Sequence, residues 1–183
     1  MMRALLIVTA LLLGASAPAD TSYPTQSLYQ LDAALTNSSG TTHGLDVYAG
    51  HTVLITMFYS SCKHTCPLLI ETVRAVERAS TNSKDLRVLM ISVDPERDTP
   101  EALAKLAKER RIDTSRWSLV NATAADVRKI AAALGVQYKQ SPDGEFNHSS
   151  VISVLNARGE ILKQSATLGS ADEILVSAVR TAE

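Results

Sequence analysis

Residues 52–67 read Thr-Val-Leu-Ile-Thr-Met-Phe-Tyr-Ser-Ser-Cys-Lys-His-Thr-Cys-Pro. Val53, Leu54, Ile55, Met57 and Phe58 form a run too continuous to alternate between core and water. It predicts a buried central strand over Thr52–Tyr59. Pro67 has no N–H to donate and suits the first position of a helix, predicted over Pro67–Ala79 with Leu69, Ile70, Val73 and Val76 on one face. Cys62 and Cys66 therefore fall in a strand-to-helix loop, with Cys66 at the predicted N-cap. The positive end of the helix dipole and nearby Lys63 both favour a thiolate there. Two reactive thiols of low pKa in an exposed strand-to-helix loop are expected.

Working outward, Leu86–Val93 is a second buried strand. A helix over Thr99–Arg110 presents Leu103, Leu106 and Ala107 inward, with Pro100 at its first position and Asp98 or Thr99 as its cap. Trp117–Val120 reads as a short strand. Ala124–Leu134 is a helix between the cap Thr123 and the terminator Gly135. Val151–Leu155 and Glu160–Gln164 make a hairpin around Asn156–Gly159, and a helix over Ala171–Ala182 follows. Upstream, short strands are expected near Leu28–Leu31 and Leu45–Tyr48, with a turn over Thr36–Thr42. Alternating strands and helices that end in an adjacent strand pair imply a mixed sheet covered on both faces. With the cysteines at the end of the first buried strand, the expected fold is α/β: a thioredoxin-like three-layer sandwich, its central mixed β-sheet flanked by helices, with an inserted strand-helix unit.

The 183 residues suit one domain with a full core. A net charge of -1 with no Lys/Arg run gives nucleic-acid binding no support. Residues 1–19 read as a secretory signal: Arg3, an apolar Ala4–Leu13, then Ala15, Ser16, Ala17 and Ala19. The expected cut lies before Asp20, leaving a domain over residues 20–183 with no stable membrane span. The apolar run is far shorter than the roughly 20 residues of a spanning helix. The expected location is periplasmic or otherwise extracytoplasmic, with a membrane tether through an uncleaved signal as the alternative.

Export to an oxidising compartment leaves three readings for the cysteines. They form a structural staple, exchange disulfides with partner thiols, or bind a metal. A staple more often joins distant elements, and the three-residue spacer differs from the C-x-x-C of disulfide oxidoreductases. Two thiolates suit soft Cu(I), and one imidazole completes a trigonal site. His148, in Asn147-His148-Ser149-Ser150 just before the strand Val151–Leu155, is the candidate third ligand. In a thioredoxin-like fold the start of that strand faces the cysteine loop. No proline stands between Pro142 and the end of the chain, which weakens the plain oxidoreductase reading. His64 is a candidate additional ligand, His43 and His51 read as surface residues, and structural zinc sites carry a different spacing.

Three blocks together resemble the Sco/SenC family of copper chaperones for cytochrome c oxidase assembly. They are Ser61–Pro67 with its C-x-x-x-C-P, the run Ser92-Val93-Asp94-Pro95-Glu96-Arg97-Asp98-Thr99-Pro100, and His148-Ser149. The resemblance implies Cu(I) held by Cys62, Cys66 and His148. It implies delivery to the copper-site subunit of cytochrome c oxidase or another copper protein, or reduction of that site's cysteines by the Cys62–Cys66 redox pair. It suggests an assembly factor more than an enzyme. Asp94 becomes an acidic residue near the site with a partner-docking role, or else a strand-end turn residue. Two positions depart from the family pattern: Lys63-His64 replaces Pro-Asp, and Asn147 stands where an aspartate is common.

Overall fold

The computed structural model describes residues 23–62, 65–80 and 85–182. The leader expected over residues 1–19 falls outside them, as do Lys63 and His64. In chain order the elements are β1 (Leu35–Asn37), β2 (Thr42–His43), β3 (Val53–Phe58), α1 (Thr65–Ala79), β4 (Arg87–Ser92), α2 (Pro100–Glu109), β5 (Trp117–Ala122), α3 (Ala124–Leu134), β6 (Tyr138–Gln140), β7 (Phe146–His148), β8 (Ile152–Leu155), β9 (Ile161–Ser165) and α4 (Glu173–Thr181).

One mixed sheet runs β2-β1-β5-β4-β3-β8-β9. β3, β4 and β5 are parallel neighbours, while β8 lies antiparallel to β3, β9 to β8 and β1 to β5. β3 is buried along its whole length, as its unbroken apolar run requires. The crossovers β3-α1-β4 and β4-α2-β5 step the same way, so right-handedness puts α1 and α2 on one face. Alternation along β5 separates the two faces. Trp117 Nε1 donates to Glu77 of α1 at 3.1 Å and the Asn121 amide to the carbonyl of Asp98 at 3.0 Å, while Ser118 bonds with Tyr48 on the other side. α3 joins that other side, where Lys129 donates to the carbonyl of Asp32 at 2.7 Å. The result is the thioredoxin-like sandwich.

Four local expectations change. Leu28–Gln30 and Leu45–Tyr48 are turns of 3₁₀ helix instead of strands. Leu45 and Tyr48 are both buried, and three residues per turn puts that pair on one side. Thr36–Thr42 is a turn only in its middle, where the Asn37 side chain accepts the N–H groups of Ser39 and Thr41. Its ends belong to β1 and β2. α1 begins at Thr65, two residues before Pro67. Proline costs nothing there, because the N–H groups of a first turn have no helical acceptor. Tyr138–Gln140 and Phe146–His148 pair as a separate two-stranded hairpin that the reading above lacks. Its signal was present in Pro142-Asp143-Gly144, a turn sequence between two short alternating runs.

Candidate metal centre

The two cysteines sit where β3 ends and α1 begins, at the carboxyl edge of the parallel strands where α/β folds place their sites. Both are buried rather than exposed, Cys62 at 9% and Cys66 at 4% exposure. The earlier helix start moves Cys66 from the N-cap into the first turn. Its free N–H donates to Cys62 Sγ at 3.2 Å, so the sulfur of Cys62 takes the place of a capping oxygen. The expected low pKa of Cys66 is overturned. Burial pushes its thiol well above the ordinary range, a backbone hydrogen bond at Tyr59 opposes this, and the Cys62 side chain and the Asp98 carboxylate add to it. The helix dipole is outweighed by desolvation.

The loop carrying Cys62 is held from below by Asp98, which is fully buried. Its carboxylate accepts the Ser60 N–H at 3.0 Å, the Ser60 hydroxyl and the Ser92 hydroxyl. Asp98 was read only as a cap for α2. Thr99 fills that role instead, accepting the Ala102 N–H at 3.3 Å. Asp94 is also buried, at 3% exposure, and its carboxylate pairs with Arg97. Arg97 reaches on to the carbonyl of Gly144 and lies over the Phe146 ring at 5.9 Å, so the second sequence block braces the β6–β7 hairpin.

His148 ends β7, half-buried, paired in register with Tyr138. Burial lowers its pKa, and the hydrogen bond between Nδ1 and the Ser149 carbonyl opposes this in part. The ring is therefore mainly neutral at neutral pH, the form that ligates metals. Tyr59, another residue the sequence did not flag, contacts both this histidine and Cys62. Its ring meets His148 edge-on at 5.8 Å, and its hydroxyl hydrogen-bonds with the Cys62 side chain. Among the described residues, no three His, Cys, Asp or Glu side chains are gathered closely enough to hold a metal ion. The structure thus joins Cys62 to Cys66 and brings His148 to the same side chain that Cys62 touches, without closing the trio. His43 and His51 are half-buried, and the His43 ring packs on Tyr48 at 5.7 Å.

A match to SCO1/SenC covers residues 22–182. The chain belongs to the SCO1/SenC family. This SCO1/SenC chain is 31% identical over 124 residues to the mitochondrial SCO1 homolog of Homo sapiens, an alignment covering 63% of this chain and 40% of that protein. It is 24% identical over 131 residues to the SCO1 protein homolog of Bacillus subtilis (strain 168), covering 69% and 68%. The chain spans less than half the length of the human relative and about two thirds of the bacterial one. Among solved structures, Arabidopsis thaliana ScoI with copper bound superposes with a TM-score of 0.71 at 20% identity, covering 81% of this chain and 96% of that one. That likeness establishes the shared fold. Among the described residues, no helix of this SCO1/SenC domain is long and apolar enough to cross a membrane.

Proposed function

We propose that this protein is an extracytoplasmic copper-handling factor, in which Cys62, Cys66 and His148 hold one Cu(I) for transfer to the copper-site subunit of cytochrome c oxidase or another copper protein. The observation that carries the reading is the side-by-side placement of two thiols, with the N–H of Cys66 on Cys62 Sγ at 3.2 Å. The donor set fits a soft ion, since two sulfurs and a neutral imidazole match the preferences of Cu(I). Ligation needs both thiols deprotonated, so a proton leaves Cys66 as the metal arrives. Family membership and the copper-bound Arabidopsis relative support the metal. Secretion through a cleaved leader over residues 1–19 belongs to the same proposal, as does a further contact from His64. Titrating the reduced protein with Cu(I) is expected to give one tight equivalent that His148→Ala weakens at least ~10-fold, about 1.4 kcal/mol. Undiminished affinity in that variant rejects the three-donor site.

The adjacency of the thiols also supports a second reading, thiol–disulfide exchange on the cysteines of a copper-site protein. Cys62 would then attack the partner disulfide, releasing one partner thiol. Cys66, once deprotonated, would displace the second, leaving a Cys62–Cys66 disulfide and a reduced partner. The measurement is the reduction potential of the pair together with turnover of a mixed-disulfide substrate. A pair unable to reduce that substrate eliminates this reading.

A further inference from the structure

Tyr59 follows β3 directly, is 5% exposed, and gathers groups that are far apart in the chain. Its hydroxyl donates to Glu145 Oε2 at 3.0 Å and shares a hydrogen bond with the Cys62 side chain. Its ring lies 5.6 Å from Phe146 and 5.8 Å from His148. Cys62 and His148 therefore touch one side chain in common and, among the described residues, do not join in a three-donor cluster. Among the described residues, the β6–β7 hairpin that carries His148 pairs with no other strand. Its turn is fastened at two points, by Tyr59 on Glu145 and by Arg97 on Gly144 and Phe146.

We propose that Tyr59 is a positioning residue that controls when His148 reaches the thiols. The inference rests on the three-donor reading above and adds an order to it. With the Tyr59–Glu145 bond closed, the ring occupies the space between imidazole and Cys62. Opening that bond releases one of the two fastenings and lets the hairpin, still held at Arg97, shift His148 past the ring. Copper capture then begins at the thiols and finishes with the imidazole. The apparent affinity is lowered by the fraction of molecules in which the bond is closed, because only the open form completes the site. Removing the hydroxyl while keeping the ring raises the open fraction.

The test compares wild type with Tyr59→Phe, Glu145→Ala and Glu145→Gln, all reduced. Glu145 is exposed, so its replacement does not threaten the core. In copper-free protein, amide exchange across 138–140 and 146–148 is expected to quicken several-fold in Tyr59→Phe and Glu145→Ala. Glu145→Gln should stay near the wild-type rate, since its amide oxygen still accepts the hydroxyl. In competition with a Cu(I) chelator, Tyr59→Phe is expected to bind roughly 10-fold tighter, the worth of one hydrogen bond to a carboxylate. Adding His148→Ala should abolish that gain. The inference is overturned by unchanged hairpin exchange, by a Glu145→Gln protein that exchanges like Glu145→Ala, by equal or weaker binding in Tyr59→Phe, or by a gain that survives His148→Ala. If His148→Ala alone leaves wild-type affinity intact, the three-donor reading falls. The copper-free exchange data still judge the Tyr59–Glu145 tether by itself.

Discussion

Cys66 carries opposing influences whose balance decides its chemistry. It stands in the first turn of α1, where the helix dipole favours an anion, yet it is 4% exposed and shares its surroundings with Asp98 and Cys62. Desolvation of the thiolate is the larger effect, so the thiol stays protonated at neutral pH. The sign for reactivity follows directly. The thiolate is the nucleophile, and a raised pKa leaves less of it than a free cysteine has. In the reduced protein, alkylation of Cys66 by iodoacetamide at pH 7 is expected to run well below the rate of a cysteine in an unstructured peptide. It should accelerate only under strongly alkaline conditions. Mass spectrometry of the labelled peptide reads both rates, and labelling of Cys66 at the free-cysteine rate at pH 7 contradicts this account. The residue types and spacing of Cys62 and Cys66 were legible in the chain. The protonation of Cys66 was not, because it depends on Asp98 and on burial by segments remote in sequence.

At the scale of elements, local chemistry written into the chain is followed closely where it is strong. α3 runs over Ala124–Leu134 between Thr123 and Gly135, as its cap and terminator predict. Thr123 accepts the Asp126 N–H at 3.1 Å, and Gly135 takes the left-handed conformation at φ 66°. Asp126 is drawn below the usual carboxylate range, first by the hydrogen bond from Lys129 at 2.8 Å and then by Thr123. A carboxylate with a lowered folded pKa contributes stability that is fully present above its unfolded value of about 3.9. That contribution is lost as pH falls through the lower, folded value. Asp126→Asn is therefore expected to flatten the loss of stability below about pH 4, leaving a shallower acid limb in urea unfolding measured against pH. A limb as steep as that of wild type would show that the Asp126–Lys129 contact does nothing in solution. Weak local signals fared worse. The short apolar pairs at Leu28 and Leu45 fit either a strand or a 3₁₀ turn, and only packing separates these. The start of α1 slipped by two residues because a first turn tolerates proline at more than one position.

Across the whole molecule, stability is distributed unevenly, and the uneven part lies at the site. β3, β4 and β5 sit in the middle of the seven-stranded sheet with almost every side chain buried. Among the described residues, the β6–β7 hairpin pairs only with itself and leaves Lys139, Gln140 and Asn147 exposed. Opening it breaks few buried contacts. Native-state amide exchange is expected to be slowest in β3 and β4, near the global unfolding limit, and much faster in β6 and β7. Equal protection throughout would deny the hairpin independent motion. This division also separates what the chain states from what folding decides. By itself the sequence determined the strand–helix alternation, the sandwich class and the identity of the two thiols at the carboxyl edge of β3. These follow from periodicity, caps and spacing within short windows. Only the tertiary structure decided that Asp98 anchors the cysteine loop, that Asp94 is buried, and that Tyr59 touches both Cys62 and His148. Two of the hydrogen bonds involved join residues far apart in the chain, Ser60 to Asp98 across 38 positions and Tyr59 to Glu145 across 86. Contacts at that separation are chosen by how the sheet and its covering helices close around the core, which no local pattern encodes.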